Sequence, residues 1–353
     1  MGQNDANLAA LLTAPTADLT VEERFIPVPG PGEILIRNHA LGMNPIDWKR
    51  QAWNFLISSY PTILGTDLSG VIIEVGPSVT AFKPGDRVIG FAHGLISRNL
   101  DNCAFQTYTV VKANAAVVMP PSMTFVEGAT VPTAVGTATM CLVDVLSLSL
   151  SGWAPSSATQ PPANAAILVW GGASAGVGNM VMQLAQMAGL TVFATASKHH
   201  HARLLSLGAA GMVDYHSPTA VDELVLAAKN AGKEIMYAVD AISNEETLAA
   251  VMEVLRKSSS EGTKKTMAHT TPWPQGLASP EDIHAQHVRG DDLWTRREDV
   301  CAWLYGEALP GWLAQGKIAL SPLRVAGKGI SGIQGALNEL KGGVSGEKLV
   351  VEI

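Results

Sequence analysis

Between Ala165 and Ala188 the chain reads AAILVWGGASAGVGNMVMQLAQMA, an uncharged apolar strand, a turn of small residues and an apolar-faced helix. No other stretch restricts the fold as tightly. Backbone N–H groups at such a turn, with a helix dipole behind them, can hold a pyrophosphate. With Gly178 as the last glycine, Ala173 takes the first glycine position and the motif is A-x-A-x-x-G, which by itself also fits a tight strand-to-helix turn with no ligand. The residues downstream of the turn favour the nucleotide. The segments TVFATAS, ARLLSLGA, GMVDY, VDELVLAAKNA and EIMYAVDAIS alternate strand and helix patterns, the signature of a parallel doubly wound sheet. Gly172, Ala173, Ser174, Ala175, Gly176 and Val177 are the expected cofactor-binding turn.

The first third has a different rhythm. GEILIRNHALGMN, GVIIEVG, GDRVIGF and QTYTVVKA are short strand patterns punctuated by Pro, Gly and Asn, which predicts an all-β barrel or sandwich. Helical patterns near EDVCAWLYGEAL and GIQGALNELKGG precede a last strand, EKLVVEI, expected to return to the first domain. An α/β chain of 353 residues with 47% hydrophobic content is thus expected to form two domains, 1–133 with 308–353 and 134–307. The stretch 151–164, SGWAPSSATQPPAN, reads as a surface loop ahead of the first Rossmann strand.

Charge and cysteine usage exclude whole classes. A formal charge of -7 with only 24 Lys and Arg gives no electrostatic footprint for nucleic acid or an anionic membrane surface, so a small-molecule partner is expected. Cys103, Cys141 and Cys301 are odd in number and widely spaced, which suits a reducing, cytoplasmic compartment. MGQNDANLAALLTAPTADL reads as neither a secretion signal nor a lipid anchor. The uncharged run from Val145 through Ser197 is broken by Pro155, Pro161, Pro162 and Gly171-Gly172, so burial in a water-soluble fold is expected rather than insertion into a membrane.

Cofactor choice falls at the end of the second Rossmann strand, where a carboxylate would bind an NAD ribose and repel a 2′-phosphate. The sequence there is ATASKHHHAR, with Ser197, Lys198 and, two helical turns on, Arg203; NADPH is therefore favoured. Tyr215, closing GMVDY, fits the phosphate edge and fits an ordinary buried tyrosine nearly as well. Three consecutive histidines, His199 to His201, point in different directions on a helix and cannot chelate as one set. His284 and His287, read as sharing a helical face at i, i+3, lack a third ligand nearby and are expected at the surface.

With these residues located, the chain resembles the zinc-independent medium-chain dehydrogenase/reductases, most closely the fungal ToxD-like and trans-acting enoyl reductase group. The resemblance runs through NPIDWK (44–49), GTDLSGVIIEVG (65–76), KPGDRVIGF (83–91), VPTAVGTAT (131–139), the glycine turn, ATASK, AVDAISN, LAQGKI, PLRV and SGEKLVVEI. It implies a GroES-like β-rich catalytic domain beside the Rossmann domain, and it adds Ile242, in AVDAISN, to the cofactor site. In zinc-bearing relatives a GHE motif supplies a histidine ligand and a cysteine sits in the loop occupied here by NPIDWK. Thr66 and Asp67 replace the His and Glu, and Pro45 lies near the lost cysteine, so no catalytic metal is expected.

Without a Lewis acid, hydride addition to an activated C=C needs only positioning and a donor for the enolate oxygen. The resemblance places Lys49 and Thr139 near the substrate thioester or nicotinamide and Asn44 on the loop shaping the pocket. Read alone, Lys49 is equally a solvated charge, Thr139 a helix-packing residue and Asn44 a turn former. Three functions remain open: an enoyl reductase acting on free substrates or on those carried by a polyketide synthase; an NADPH:quinone or enone reductase; and a non-catalytic NADPH-binding protein. Retention of Lys49 and of a complete nucleotide turn weighs against the last.

Overall fold

The computed structural model describes residues 6–150 and 161–353. The greater part of the segment read as a surface loop, 151–160, lies outside the described residues. In chain order come β1 (Asn7–Leu12), β2 (Thr20–Arg24), β3 (Glu33–Gly42), the helix α1 (Pro45–Trp53), β4 (Thr62–Ile63), β5 (Asp67–Val75), β6 (Arg87–Phe91), β7 (Tyr108–Lys112) and β8 (Ala116–Val118). Next are β9 (Ala165–Trp170), β10 (Thr191–Thr195), β11 (Gly211–Val213), β12 (Glu234–Asp240), β13 (Lys265–His269), β14 (Ile283–His287), β15 (Leu323–Lys328) and β16 (Lys348–Glu352). Two units form, one of 1–133 with 291–353 and one of 134–290.

The first unit carries a seven-stranded sheet, β15-β16-β3-β5-β6-β8 with β7 also on β3, and a small sheet β2-β1-β4. Along β3 the inward residues Ile34, Ile36 and Leu41 are fully buried, as are Leu68, Ile72 and Ile89 from β5 and β6. β16 returns from the end of the chain to pair antiparallel with β3, as EKLVVEI predicts. The residues 291–307, grouped with the Rossmann domain on sequence, pack in this first unit. Trp294 stacks on Phe91 at 5.1 Å between ring centres, and the Tyr305 hydroxyl donates to the Pro132 carbonyl. Aromatic burial is the reason: the helical pattern is legible in the sequence, its docking partner is not.

One register places the site. Val350 faces Gly42, Gly42 faces Asp67, and Asp67 faces Phe91, so one row crosses β16, β3, β5 and β6. A Cβ on Gly42 would stand 2.1 Å from the Ala129 carbonyl oxygen, so only glycine lets the chain pass here. Soon after β3 the chain enters α1, where the sequence suggests only a loop. Pro45 stands at the helix start, where its missing N–H costs nothing.

The second unit is a six-stranded parallel sheet in the order β11-β10-β9-β12-β13-β14, a doubly wound sheet with its reversal between β9 and β12. β9 is buried at every position, as a central parallel strand must be. β13 and β14 extend the sheet beyond the strands expected from sequence. His284 and His287 therefore sit on a strand, where residues three apart face opposite sides; His287 instead stacks on His269 across the strands at 5.6 Å. A helical run at 125–145 is long and apolar enough by composition to cross a membrane, but 78% of its most apolar window is buried inside the fold.

Candidate active site

In the second unit each glycine of the turn has its own reason. Gly171 is at φ +80°, and its missing Cβ leaves room for the Ile242 side chain, which lies over it. A Cβ on Gly178 would meet the Gly171 carbonyl oxygen at 2.1 Å, so this glycine permits close contact of helix and strand. A Cβ on Gly176 would meet nothing within 4 Å, so that side of the turn is an open cradle. The N–H groups of Ala175, Gly176 and Val177 bond to no other described residue, and the helix Val177–Met187 begins there. Such donors at a helix start fit a pyrophosphate. Ala173 is buried and Ser174 closes the turn by donating its N–H to Gly171.

Past β10, the Ser197 hydroxyl reaches the Tyr215 hydroxyl at 3.3 Å and Lys198 is exposed beside them. Tyr215 lies two residues beyond the end of β11 and is 46% exposed, so it is not an ordinary buried tyrosine. Arg203 turns away to donate to Asn179 on the glycine-turn helix at 2.9 Å. No carboxylate stands directly after β10, yet the next strand brings one, for Asp214 feels the Lys198 charge. Its carboxyl is held low chiefly by hydrogen bonds from the backbone and ring of His216. Asp240 ends β12 fully buried and accepts the N–H groups of Ile242 and Ser243, fixing the loop that carries Ile242.

Thr139, in the helix Pro132–Met140, is fully buried and its hydroxyl has no partner among the described residues. Helical threonines ordinarily bond the carbonyl a turn earlier, so an idle hydroxyl is a standing cost. The helix runs on into a π-helical turn, Cys141–Val145, a distortion common at functional sites.

In the first unit the row through Gly42 assembles a ring of five side chains. Continuing the β16–β3 register by two residues sets Lys348 opposite Asn44. The Lys348 ammonium donates to Asn44 Oδ1 at 2.5 Å and reaches Asp67 Oδ2 at 3.4 Å. Asn44 Nδ2 donates to Thr66 Oγ1 at 3.2 Å, Thr66 is 2.9 Å from Thr133 Oγ1, and Thr133 donates to Asp67 Oδ1 at 2.5 Å. Elementary donor chemistry sets the directions. Ammonium can only donate, so it faces the amide oxygen; Thr133 spends its proton on the carboxylate, so Thr66 donates to Thr133. Lys348 is 4% exposed and Asp67 is fully buried, so the pair survives only because its hydrogen bonds are satisfied.

This donor set does not fit Zn²⁺. It offers no thiolate or imidazole, and an ammonium already takes the Asn44 and Asp67 oxygens. Cys103 is no substitute, because burial pushes its thiol up to about 12. Among the described residues no three His, Cys, Asp or Glu side chains group to hold a metal.

Around the ring stand residues that the sequence does not reveal. Asp47 accepts the Asn44 N–H with one oxygen, leaves the other unpartnered, and is raised to about 7, chiefly by burial. His93, directly after the Ala92 N–H that bonds the Thr66 carbonyl, has an unpartnered Nδ1 and is lowered to about 4, again chiefly by burial. Lys348, the charged residue that opens the last strand in EKLVVEI, is the available signal for the ring. Lys49 sits apart, half-buried, with its ammonium 5.8 and 5.6 Å from the Trp48 and Trp53 ring centres. Burial lowers its pKa.

The chain matches two family models: residues 30–122 fit the alcohol dehydrogenase GroES-like domain and residues 176–260 the zinc-binding dehydrogenase domain. It is 33% identical to Dehydrogenase orsE of Emericella nidulans, across 98% of this chain and 99% of that one. The chain belongs to the medium-chain dehydrogenase/reductase superfamily. It groups there with fungal members such as Trans-enoyl reductase himH of Aspergillus japonicus, 34% identical across 91% of this chain and 90% of that one. The fold is that of the CurK enoyl reductase crystal structure, with a TM-score of 0.77 at 22% identity over 99% of both chains. As a member this medium-chain reductase is an oxidoreductase of the kind that uses a nicotinamide dinucleotide.

Proposed function

We propose that this protein is an NADPH-dependent enoyl reductase that saturates the C=C of an α,β-unsaturated thioester carried by a polyketide synthase. The ring at Lys348 is the observation that supports this most. Where alcohol oxidation needs a Lewis acid to acidify the hydroxyl, this chain holds an amide, two hydroxyls, a carboxylate and an ammonium. The name of himH points to the same chemistry in a relative.

A nicotinamide dinucleotide, when bound, would supply a hydride to the β-carbon, which would shift the C=C electrons onto the thioester oxygen. The chain must then stabilise that oxygen and deliver a proton to the α-carbon. Lys49 suits the proton delivery, because burial lowers its pKa. The idle Thr139 hydroxyl is assigned to the carbonyl or nicotinamide. For the cofactor, the free N–H groups at Ala175, Gly176 and Val177 would take the pyrophosphate, with Ile242 covering the turn. Ser197, Lys198 and Tyr215 offer two hydroxyls and a charge to a 2′-phosphate, which favours NADPH.

The test is NADPH consumption on a panel of enoyl thioesters, quinones, enones and aldehydes, with and without a chelator. Enoyl thioesters should be consumed fastest, NADPH should outrun NADH, and chelation should change nothing. Turnover confined to alcohols and aldehydes, with a required stoichiometric zinc, would overturn the proposal; quinones as the best substrates would move it to a reductase of free small molecules.

A further inference from the structure

The amide of Asn44 links the buried cation of the ring to its hydroxyls. Asn44 stands at the N-cap of α1, where an asparagine side-chain oxygen ordinarily serves a backbone N–H of the first turn. In this chain the Asp47 N–H bonds the Asn44 main-chain carbonyl at 3.0 Å, and Asp47 in return accepts the Asn44 N–H at 2.9 Å. The Asn44 side chain also faces the Asp47 N–H in a capping box, but its short contact is between Oδ1 and Lys348, 304 residues away in the chain.

That contact fixes which way the amide points. With Oδ1 held by a donor-only group, Nδ2 faces Thr66, and of its two hydrogens only one is used; the second meets no partner among the described residues. A positive charge on the oxygen side of an amide withdraws electron density and strengthens its N–H groups as donors, the cooperative effect expected in a low-dielectric network. Lys348 and Asn44 are both 4% exposed, but the ammonium is engaged by Asn44 Oδ1 and Asp67 Oδ2, whereas the amide keeps one hydrogen over.

We infer that Lys348 is a positioning residue of the catalytic domain that aims and polarises the Asn44 amide so that its free Nδ2–H donates to the enolate oxygen. The inference rests on the enoyl-reductase reading. It places positive charge one amide away from the oxygen that becomes negative, with no metal at the ring. Asp67 anchors the ammonium from its other side, and the Thr66 and Thr133 hydroxyls keep the amide from flipping.

Asn44→Asp separates a donor from a mere structural strut. It is isosteric, keeps an oxygen for Lys348 and removes both Nδ2 hydrogens. With crotonyl and hexenoyl N-acetylcysteamine thioesters, the full chain carrying Asn44→Asp should lose about a hundredfold in kcat with KM little changed, the cost typical of one oxyanion donor. NADPH affinity, read by fluorescence, should be unchanged. Lys348→Met should lose turnover comparably, Lys348→Arg should restore part of it, and the double variant should be no worse than the more impaired single one. If Lys348→Met does not fold, Asn44→Asp decides. An Asn44→Asp protein that is folded and turns over at the unmodified rate overturns the inference alone. An unmodified protein that reduces no enoyl thioester or enone overturns the functional reading, and the inference with it.

Discussion

The two polar centres of this chain are built on opposite plans. In the first unit Lys348, Asn44, Thr66, Thr133 and Asp67 close a ring in which nearly every donor has an acceptor. In the glycine turn of the second unit, three successive N–H groups bond to nothing described. A closed network fixes geometry and charge; an open one keeps its hydrogen-bonding capacity for a ligand. Within the turn itself the same contrast separates Gly178, packed against backbone, from Gly176, facing open space.

Two alanines would break that contrast with the largest effect. Gly178→Ala puts a methyl 2.1 Å from a carbonyl oxygen that cannot retreat without moving β9, and should cost about 3 kcal/mol of stability by the usual scale of overpacking. Gly176→Ala meets no atom within 4 Å and should leave stability nearly unchanged while weakening dinucleotide binding by roughly tenfold, the loss of one good contact to the pyrophosphate. Urea unfolding and NADPH titration measure the two. Equal loss of stability in both variants would mean that the open cradle is only a feature of local packing.

The adenosine end tests whether the open centre is tuned for a phosphate. Lys198→Asp should remove most of any preference for NADPH over NADH, because the ammonium beside Ser197 and Tyr215 is replaced by a like charge. Asp214→Asn should act the other way, tightening NADPH by a few-fold, because it removes a carboxylate close enough to feel the Lys198 charge. Competitive binding of the two dinucleotides checks both. Preference unmoved by either substitution would place the 2′-phosphate elsewhere.

Thr139 belongs to neither plan, being buried and unpartnered. Thr139→Val removes an idle hydroxyl at nearly constant shape, so the protein without cofactor should gain up to about 1 kcal/mol in stability. If the hydroxyl serves substrate or nicotinamide, turnover falls in the same variant. Stability lost together with unchanged turnover would mark Thr139 as a packing residue.

The Rossmann half is legible because its information is local. An apolar strand, a small-residue turn and a helix are contiguous in ILVWGGASAGVGNMV, and the strand end carrying Ser197 lies within one further unit. The catalytic half is legible as strands but not as a site. Asn44 and Lys348 meet only because β16 returns to β3, and no spacing in the sequence expresses a register between segments so far apart. α1 escapes for a different reason: NPIDWKRQAW has little apolar periodicity, and its start signals, Asn44, Pro45 and Asp47, suit a turn as well as a helix. The histidines of β14 invite a helical period where the chain has a period of two.

The last effect is one that the intact protein largely conceals, because two opposed pH dependences offset each other. Burial raises Asp47 from 3.8 to about 7, so between those values the folded chain keeps a proton that the unfolded chain has lost, and stability falls as pH rises. Burial lowers His93 from 6.5 to about 4, so over that range the unfolded chain holds the extra proton, and stability falls as pH drops. Each slope approaches about 1.4 kcal/mol per pH unit, and they have opposite sign. Between about pH 4 and pH 6.5 the two contributions cancel, leaving only the Asp47 decline just below pH 7. Asp47→Asn should therefore expose a stability that climbs from about pH 4 to pH 6.5, and His93→Gln one that descends from about pH 4 to pH 7. Urea midpoints across that range, compared with the unmodified protein, separate the two. Identical pH slopes in all three proteins would mean that neither group titrates out of register with the unfolded chain, and the buried polar surroundings of the ring would then have to be wetter than its geometry implies.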